Sequence, residues 1–137
     1  MDGGAVEVEI IGDGVLDELS LDETKTLRLC ALAAASAGVS EGHLAISFVD
    51  AARIAALNAE HRGKPAPTDV LSFPIDEAQP LDGVPRELGD VVICPEHTGD
   101  LYEAIVHGVL HLIGMDHEYD AGEMLALQAE LLRWETL

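Results

Sequence analysis

The run of residues 107–117 constrains the fold of this chain more than any other segment. It reads H-G-V-L-H-L-I-G-M-D-H, with histidines at its first, fifth and last positions. Because an α-helix turns once in about 3.6 residues, His107 and His111 point the same way if this segment is helical. Gly114 can adopt the left-handed conformation that ends a helix. The segment therefore predicts a helix, a glycine stop and a reversal that brings His117 to the other two imidazoles.

Three imidazoles that converge in this way are typical of a transition-metal site. Zinc is the usual occupant, and a site with three protein ligands leaves one position for water or substrate. Nickel, copper and iron also accept imidazole ligands. A single histidine on an apolar helix is more often a satisfied core residue, but three with this spacing favour metal binding. The open position indicates chemistry rather than a purely structural metal.

The residue after the first histidine separates this motif from that of the common zinc proteases. Those enzymes have the pattern H-E-x-x-H, in which the glutamate acts as general base. Here that position is Gly108, which can neither accept a proton nor orient a water. The sequence therefore argues against ordinary peptide hydrolysis.

The pattern of apolar residues predicts a small α+β domain. Period-two alternation and short apolar runs predict four strands, at residues 5–10, 44–49, 69–73 and 89–94. Helical spacing predicts four helices: 20–38, one capped by Asp50, the metal-motif helix and one from about Ala121. The order β-α-β-α-β-β-α-α leads us to expect a single domain, 1–137, with helices packed on a mixed four-stranded sheet.

For the first and last helices, the sequence also predicts which residues face the core. Ser20 and Glu23 form a capping box that opens the first helix. The apolar stripe of that helix is predicted to be Leu27, Cys30, Ala31 and Ala34. The stripe of the last helix is predicted to be Met124, Leu127, Leu131 and Trp134.

Charge and cysteine content limit the environment and the partners. The formal net charge is −19, with only seven basic residues, so bulk electrostatics oppose binding to nucleic acid. Contact with a polyanion must be local, metal-assisted or made at high salt. Cys30 and Cys94 lie in apolar segments, as buried thiols do in a reducing cytosol. The N-terminal residues lack the basic start and apolar stretch of a secretory signal, and there is no run of 18 apolar residues. We therefore expect a cytoplasmic protein without a membrane span.

Three segments together resemble one known family. Residues 57–74, L-N-A-E-H-R-G-K-P-A-P-T-D-V-L-S-F-P, resemble the N-x-x-[YFH]-R and T-D-V-L-S-F elements of the YbeY family. Residues 88–93, L-G-D-V-V-I, are similar to its next segment, and the three-histidine run matches its hallmark. The three segments occur in the family's order.

The resemblance implies a metal-dependent endoribonuclease that is specific for single strands. Such enzymes act in ribosomal RNA maturation, including the 3′ end of the small-subunit RNA, and in ribosome quality control. By matching position, His107, His111 and His117 would bind one zinc ion with water, and Arg62 would lie at the catalytic cleft. The implied partners are ribosomal RNA or its precursors, with ribosomal proteins as further candidates, and neither DNA nor a membrane.

Two basic residues of the first segment have alternative interpretations. Arg62 could meet two phosphate oxygens with its planar guanidinium group, or it could form a surface ion pair with Glu60 or Asp69. Lys64 could contact phosphate or remain a solvated loop lysine.

Three functional hypotheses follow, in order of preference. The first is a metal-dependent endoribonuclease, and the second is a metallohydrolase of another bond, which Gly108 disfavours. The third is a non-catalytic, ribosome-associated factor with a structural metal. The acidic charge and the short segment 96–107 favour the third hypothesis more than usual.

Overall fold

The structure, a computed structural model, describes residues 6–12, 21–39, 41–75, 87–115 and 122–135. The elements follow the predicted order β-α-β-α-β-β-α-α, with a short 3₁₀ turn, Pro95–His97, before the third helix. The strands are β1 Val6–Ile11, β2 Gly42–Phe48, β3 Val70–Pro74 and β4 Glu87–Ile93. The helices are α1 Glu23–Ala35, α2 Ala51–Arg62, α3 Leu101–Leu112 and α4 Glu123–Glu135.

The four strands form one mixed sheet in the order β1-β2-β4-β3. β1 pairs with β2 and β2 pairs with β4 in parallel, while β3 pairs with β4 antiparallel. A helix connects β1 to β2, and such crossovers are the usual way to make neighbouring strands parallel. The sheet with its packed helices confirms the α+β prediction.

The two faces of the sheet carry different cores. Val91 and Val92 are neighbours on β4, so their side chains point to opposite faces. Val91 belongs to the larger core, which contains buried side chains from α1, α3 and α4, including Leu29, Ile105 and Met124. Val92 belongs to a smaller core with Ile54, Leu71 and Cys94, beneath α2. The predicted metal motif therefore lies on a helix of the larger core.

The first helix differs from its prediction at its start and on its buried face. Asp22, not Ser20, is the N-cap, and its side chain accepts a hydrogen bond from the backbone N–H of Lys25. Leu27 is 38% exposed, and the buried apolar side chains are Leu29, Cys30, Ala33 and Ala34. Both leucines suit a helical stripe, and the position of the neighbouring helices decides which one is buried.

The last helix departs from its prediction at its end. Met124 and Leu131 are buried, as predicted, but Trp134 is 60% exposed. Trp134 lies in the last turn, at the edge of the stripe that Met124 and Leu131 define. The helix therefore extends beyond the core that its first turns cover.

Both cysteines are free and buried, as the sequence predicts. Burial raises the pKa of the Cys30 thiol to about 12, so this thiol is un-ionised and unreactive at neutral pH. None of the helices in the described part of the chain has the length and apolar character that a membrane span requires.

Candidate metal centre

The ends of α3 fix the position of its two histidines. At its start, the side chain of Asp100 accepts hydrogen bonds from the backbone N–H groups of Tyr102 and Glu103. At its end, Gly114 has a φ of +103°, and Met115 donates its backbone N–H to the Leu110 carbonyl. This is the glycine stop that the sequence predicts. The helix thus ends directly after the turn that carries His111.

The imidazoles of His107 and His111 face each other through their Nε2 atoms. These two nitrogens are 3.2 Å apart, and the ring planes meet at 73°. Two nitrogens bound to one tetrahedral zinc at about 2.0 Å are separated by about 3.3 Å. The observed pair therefore fits two neighbouring corners of a zinc site. Without a metal, the same distance suits an N–H···N hydrogen bond between the rings.

A residue that the sequence analysis missed holds the other side of His107. Gln128, on α4, accepts a hydrogen bond from Nδ1 of His107 through its side-chain oxygen, at 2.8 Å. With the proton on Nδ1, the lone pair of Nε2 is directed at His111. Metal-binding histidines usually donate their second N–H in this way. The signal in the sequence was a glutamine between Met124 and Leu131, in an otherwise apolar stripe.

The predicted third ligand, His117, lies outside the described residues. Among the residues that the structure describes, no group of three or more His, Cys, Asp or Glu side chains is arranged to hold a metal ion. The structure thus brings together two of the three predicted ligands, and the third stays a prediction.

Gly108 lies on the side of helix α3 that packs closely against the sheet. A Cβ atom at this position would stand 2.4 Å from Cγ1 of Val91 and 3.3 Å from Cγ2 of Val70. On β3, Ser72 donates its hydroxyl hydrogen to the Gly108 carbonyl at 3.0 Å. A side chain at position 108, including the glutamate of a zinc protease, would therefore collide with Val91. Steric exclusion adds to the chemical argument against peptide hydrolysis.

The histidine pair borders a cleft of about 650 Å³. Strand β3 forms one wall and the end of α3 another, and Arg62 lies at the rim. The lining residues include Arg62, Asp69, Ser72, His107, His111 and Met115. Arg62 is thus placed with the two predicted ligands, while Lys64 is exposed and is not among the described residues that line the cleft.

Arg62 is the last residue of α2, and Gly63 ends the helix with a φ of +71°. The arginine is exposed, and within the described part of the chain it makes no ion pair with Glu60 or Asp69. The surface ion pair considered from the sequence is therefore not formed. The guanidinium group remains available at the rim of the cleft.

The loop after Arg62 is held by Asn58 and by its own polar side chains. Asn58 is buried and donates from its side-chain nitrogen to the Ala66 carbonyl at 3.0 Å. Asp69 accepts hydrogen bonds from the backbone N–H of Val70 and from the hydroxyl of Thr68. The Thr68 and Asp69 side chains thus shape the turn into β3.

Comparison with known proteins places the chain in a family. Residues 17–134 match the family described as Endoribonuclease YbeY. The chain belongs to the YbeY endoribonuclease family. Membership gives it an endoribonuclease role, which makes it a hydrolase with RNA as substrate.

Individual relatives carry the same description over long alignments. The Endoribonuclease YbeY of Acidothermus cellulolyticus is 45% identical over 111 residues, which cover 65% of this chain and 68% of the relative. That of Macrococcus caseolyticus is 37% identical over 144 residues, covering 91% and 92%. The solution structure of TM1509 from Thermotoga maritima matches with a TM-score of 0.53 and 25% identity, covering 95% of this chain and 88% of that one.

Proposed function

We propose that this endoribonuclease is zinc-dependent and cuts single-stranded ribosomal RNA. Its roles are the maturation of ribosomal RNA, including the 3′ end of the small-subunit RNA, and ribosome quality control in the cytoplasm. The observation that supports this proposal best is the opposed Nε2 pair of His107 and His111 in a cleft that also contains Arg62. A metal ligand pair and an arginine are the groups that phosphodiester hydrolysis needs close together.

His107 and His111, with His117 as the predicted third ligand, would hold the zinc ion. Bound there, zinc supplies Lewis acidity towards a phosphodiester oxygen and towards water. The chain's contribution is positioning, because α3 and Gln128 fix the two described imidazoles before any ligand arrives.

Arg62 is assigned to the phosphate. The transition state of phosphodiester cleavage carries additional negative charge on its equatorial oxygens, and a guanidinium group can donate to two of them at once. Arg62 lies at the rim of the cleft and forms no ion pair with Glu60 or Asp69. Its guanidinium group can therefore bind the phosphate without first losing an ion pair to either carboxylate. Lys64, which is exposed and two residues further along the chain, is proposed to contact the RNA backbone beyond the scissile bond.

The acidic charge of the chain limits how RNA binds. With a net charge of −19, long-range attraction to RNA is absent, and affinity must come from the cleft itself or from a ribosomal protein partner. For single strands, each neutralised phosphate adds about −0.7 to the slope of log affinity against log salt. We expect a shallow slope of about −1.4 to −2.1, for two or three phosphate contacts. A steep slope would indicate a conventional basic channel instead.

The experiment is cleavage of a labelled single-stranded ribosomal RNA fragment, with and without a chelator. Wild type is compared with Arg62→Ala and His111→Ala, and with His43→Ala as a matched control, since His43 lies on β2 and does not line the cleft. Chelation and both cleft substitutions are expected to abolish cleavage, and His43→Ala to retain it. Failure of the folded, zinc-loaded wild type to cleave at low and high salt would overturn the proposal.

The acidic charge favours one second candidate, a ribosome-associated factor with a structural metal. In that case the metal contributes folding free energy directly, and a chelator unfolds the protein. Circular dichroism during chelation separates the two, because an enzyme with a preformed histidine pair is expected to stay folded. Arg62→Ala leaves the function of such a factor intact.

A further inference from the structure

We infer that Gln128 is a positioning residue that sets the tautomer and orientation of His107. This inference rests on the proposed function in one respect, that His107 is a metal ligand. The contact itself is the 2.8 Å hydrogen bond from Nδ1 of His107 to the side-chain oxygen of Gln128. The two residues are 21 positions apart, so the contact joins α3 to α4.

The burial of Gln128 shows that its amide group has a specific partner. Only 7% of the residue is exposed, and its neighbours in the stripe of α4 are the buried Met124 and Leu131. An amide placed in such surroundings costs free energy unless it is hydrogen-bonded. Packing alone would be served as well by leucine or methionine. The hydrogen bond to His107 is therefore what the glutamine adds at this position.

Packing does not hold the imidazole of His107 on all sides. His107 lines the main cleft and also a second cavity of about 190 Å³, which lies between α3, α4 and the start of β3. Gln128 lines this second cavity too. Because cavities adjoin the ring on two sides, directional contacts help to fix its rotation about the side-chain bonds. The Gln128 amide supplies one of them at Nδ1, and Nε2 of His111 lies 3.2 Å from Nε2 on the other side of the ring.

The amide group also decides which nitrogen keeps its lone pair. As an acceptor, the Gln128 oxygen requires the proton on Nδ1, which leaves Nε2 able to bind a metal. A carboxylate at this position can only accept, whereas an amide can also turn and donate. Gln128→Glu therefore preserves the selected tautomer, and Gln128→Leu removes the selection. Loss of such an outer contact typically lowers metal affinity about 10–100-fold.

The test measures tautomer and zinc affinity, not activity. Metal-free protein labelled with ¹⁵N at histidine reports the His107 tautomer by NMR, and competition with a chromophoric chelator gives the zinc affinity. Gln128→Leu is expected to mix the tautomers and to weaken zinc binding about 10–100-fold. Gln128→Glu is expected to keep the Nδ1–H tautomer and an affinity no weaker than wild type. Glu130→Leu, on the exposed side of α4, is the matched control and should change neither.

Several outcomes overturn the inference. It is wrong if Gln128→Leu keeps both the tautomer and the zinc affinity of wild type. If that variant does not fold, Gln128→Glu still decides, because a loss of the Nδ1–H tautomer or a weaker affinity in this variant contradicts the inference.

Failure of the proposed function gives a different pattern. A wild type that binds zinc but does not cleave RNA contradicts the proposed function, while the Gln128 effects on zinc and tautomer stand. A wild type that cleaves with zinc, and a Gln128→Leu variant with unchanged tautomer and affinity, contradict only the inference. If wild type binds no zinc, the proposed function fails and the tautomer in metal-free protein alone decides the positioning role.

Discussion

Two histidines in different parts of the molecule, His43 on β2 and His107 on α3, use their ring nitrogens in opposite ways. His43 has a carboxylate at each nitrogen: Glu87 at 3.0 Å from Nδ1 and Glu9 at 3.6 Å from Nε2. His107 has the neutral amide of Gln128 at Nδ1, and its Nε2 faces His111. The first arrangement places a carboxylate near each nitrogen, and the second directs one nitrogen at the proposed metal site.

The difference shows that the partner of the second nitrogen determines what a histidine can do. The hydrogen bond that His43 donates to Glu87 is the main cause that raises the pKa of His43; burial lowers this pKa, and the negative charges of Glu87, Glu9 and Glu7 raise it. When it is protonated, His43 has no lone pair and is a cation beside the carboxylates of β1 and β4. At His107 an uncharged acceptor orients the ring without adding charge.

The largest effect is expected when a proposed zinc ligand is removed from the α3 site, with a substitution of His43 on β2 for comparison. His111→Ala is expected to lower zinc affinity at least about 100-fold, because it removes one of the three proposed protein ligands. His43→Ala is expected to leave zinc affinity unchanged, since both of its nitrogens face carboxylates. Chelator competition measures both variants. An equal loss of zinc affinity in His111→Ala and His43→Ala would contradict the difference between the two histidine sites.

The next effect concerns the packing that supports only the α3 site. Gly108→Ala places a methyl group 2.4 Å from Cγ1 of Val91, and such overpacking costs about 1–3 kcal/mol. The gain in helix propensity, about 1 kcal/mol, offsets part of this cost. Urea denaturation is expected to show net destabilisation, and NMR to show shifts at His107 but not at His43.

Two controls make the Gly108 prediction specific. Gly99→Ala adds the same methyl group where no atom lies within 4 Å, so its stability should be close to that of wild type. Val91→Ala combined with Gly108→Ala makes room for the methyl group, and the combined loss should be smaller than the sum of the single losses. Additive losses would contradict the close approach of α3 to β4.

A smaller effect is expected from pH at His43. Because the folded pKa lies above the unfolded value of 6.5, the contribution of His43 to stability is complete below about pH 6.5 and is lost as pH rises through the folded pKa. The carboxylates are 61% and 49% exposed, which limits the effect to about 1 kcal/mol or less. Urea denaturation of wild type and His43→Gln between pH 5.5 and 9 measures it. A difference that does not vary with pH would contradict this assignment.

The smallest expected effect is that of salt on the same two histidines. At 1 M salt the Debye length is about 3 Å, so the His43 contribution at pH 6 should fall by a few tenths of a kcal/mol. The contact between His107 and Gln128 involves no charged partner on the α4 side, so the His107 tautomer should not change. The His107 tautomer is read by ¹⁵N NMR at low and high salt. A salt-dependent tautomer would mean that nearby carboxylates, rather than Gln128, orient the ring.

Much of the secondary structure could be predicted because its signals are local. The four-residue spacing of His107 and His111 and the stop at Gly114 depend on the helical period and on glycine's backbone freedom. The cap at Asp50 was predicted for the same reason, and its side chain does accept a hydrogen bond from the Arg53 N–H.

The sequence predictions were wrong where two nearby residues satisfy the same local rule. Leu27 and Leu29 both suit an apolar stripe, and Asp22 was available as a cap beside Ser20. Both members of such a pair fit the local pattern equally well. Packing against α3 and α4 decides which leucine is buried. Trp134 was placed in the core because its spacing is correct, but the core ends before the last turn of α4.

The sequence by itself determined the element order, the helix that presents His107 and His111, and the family to which the motifs belong. Each of these depends on neighbouring residues or on spacing along one segment. Only the tertiary structure brought Gln128 to His107 and placed Gly108 against Val91. These contacts join residues from different elements, and their distances depend on how helices pack on a twisted sheet, which no spacing along the chain encodes.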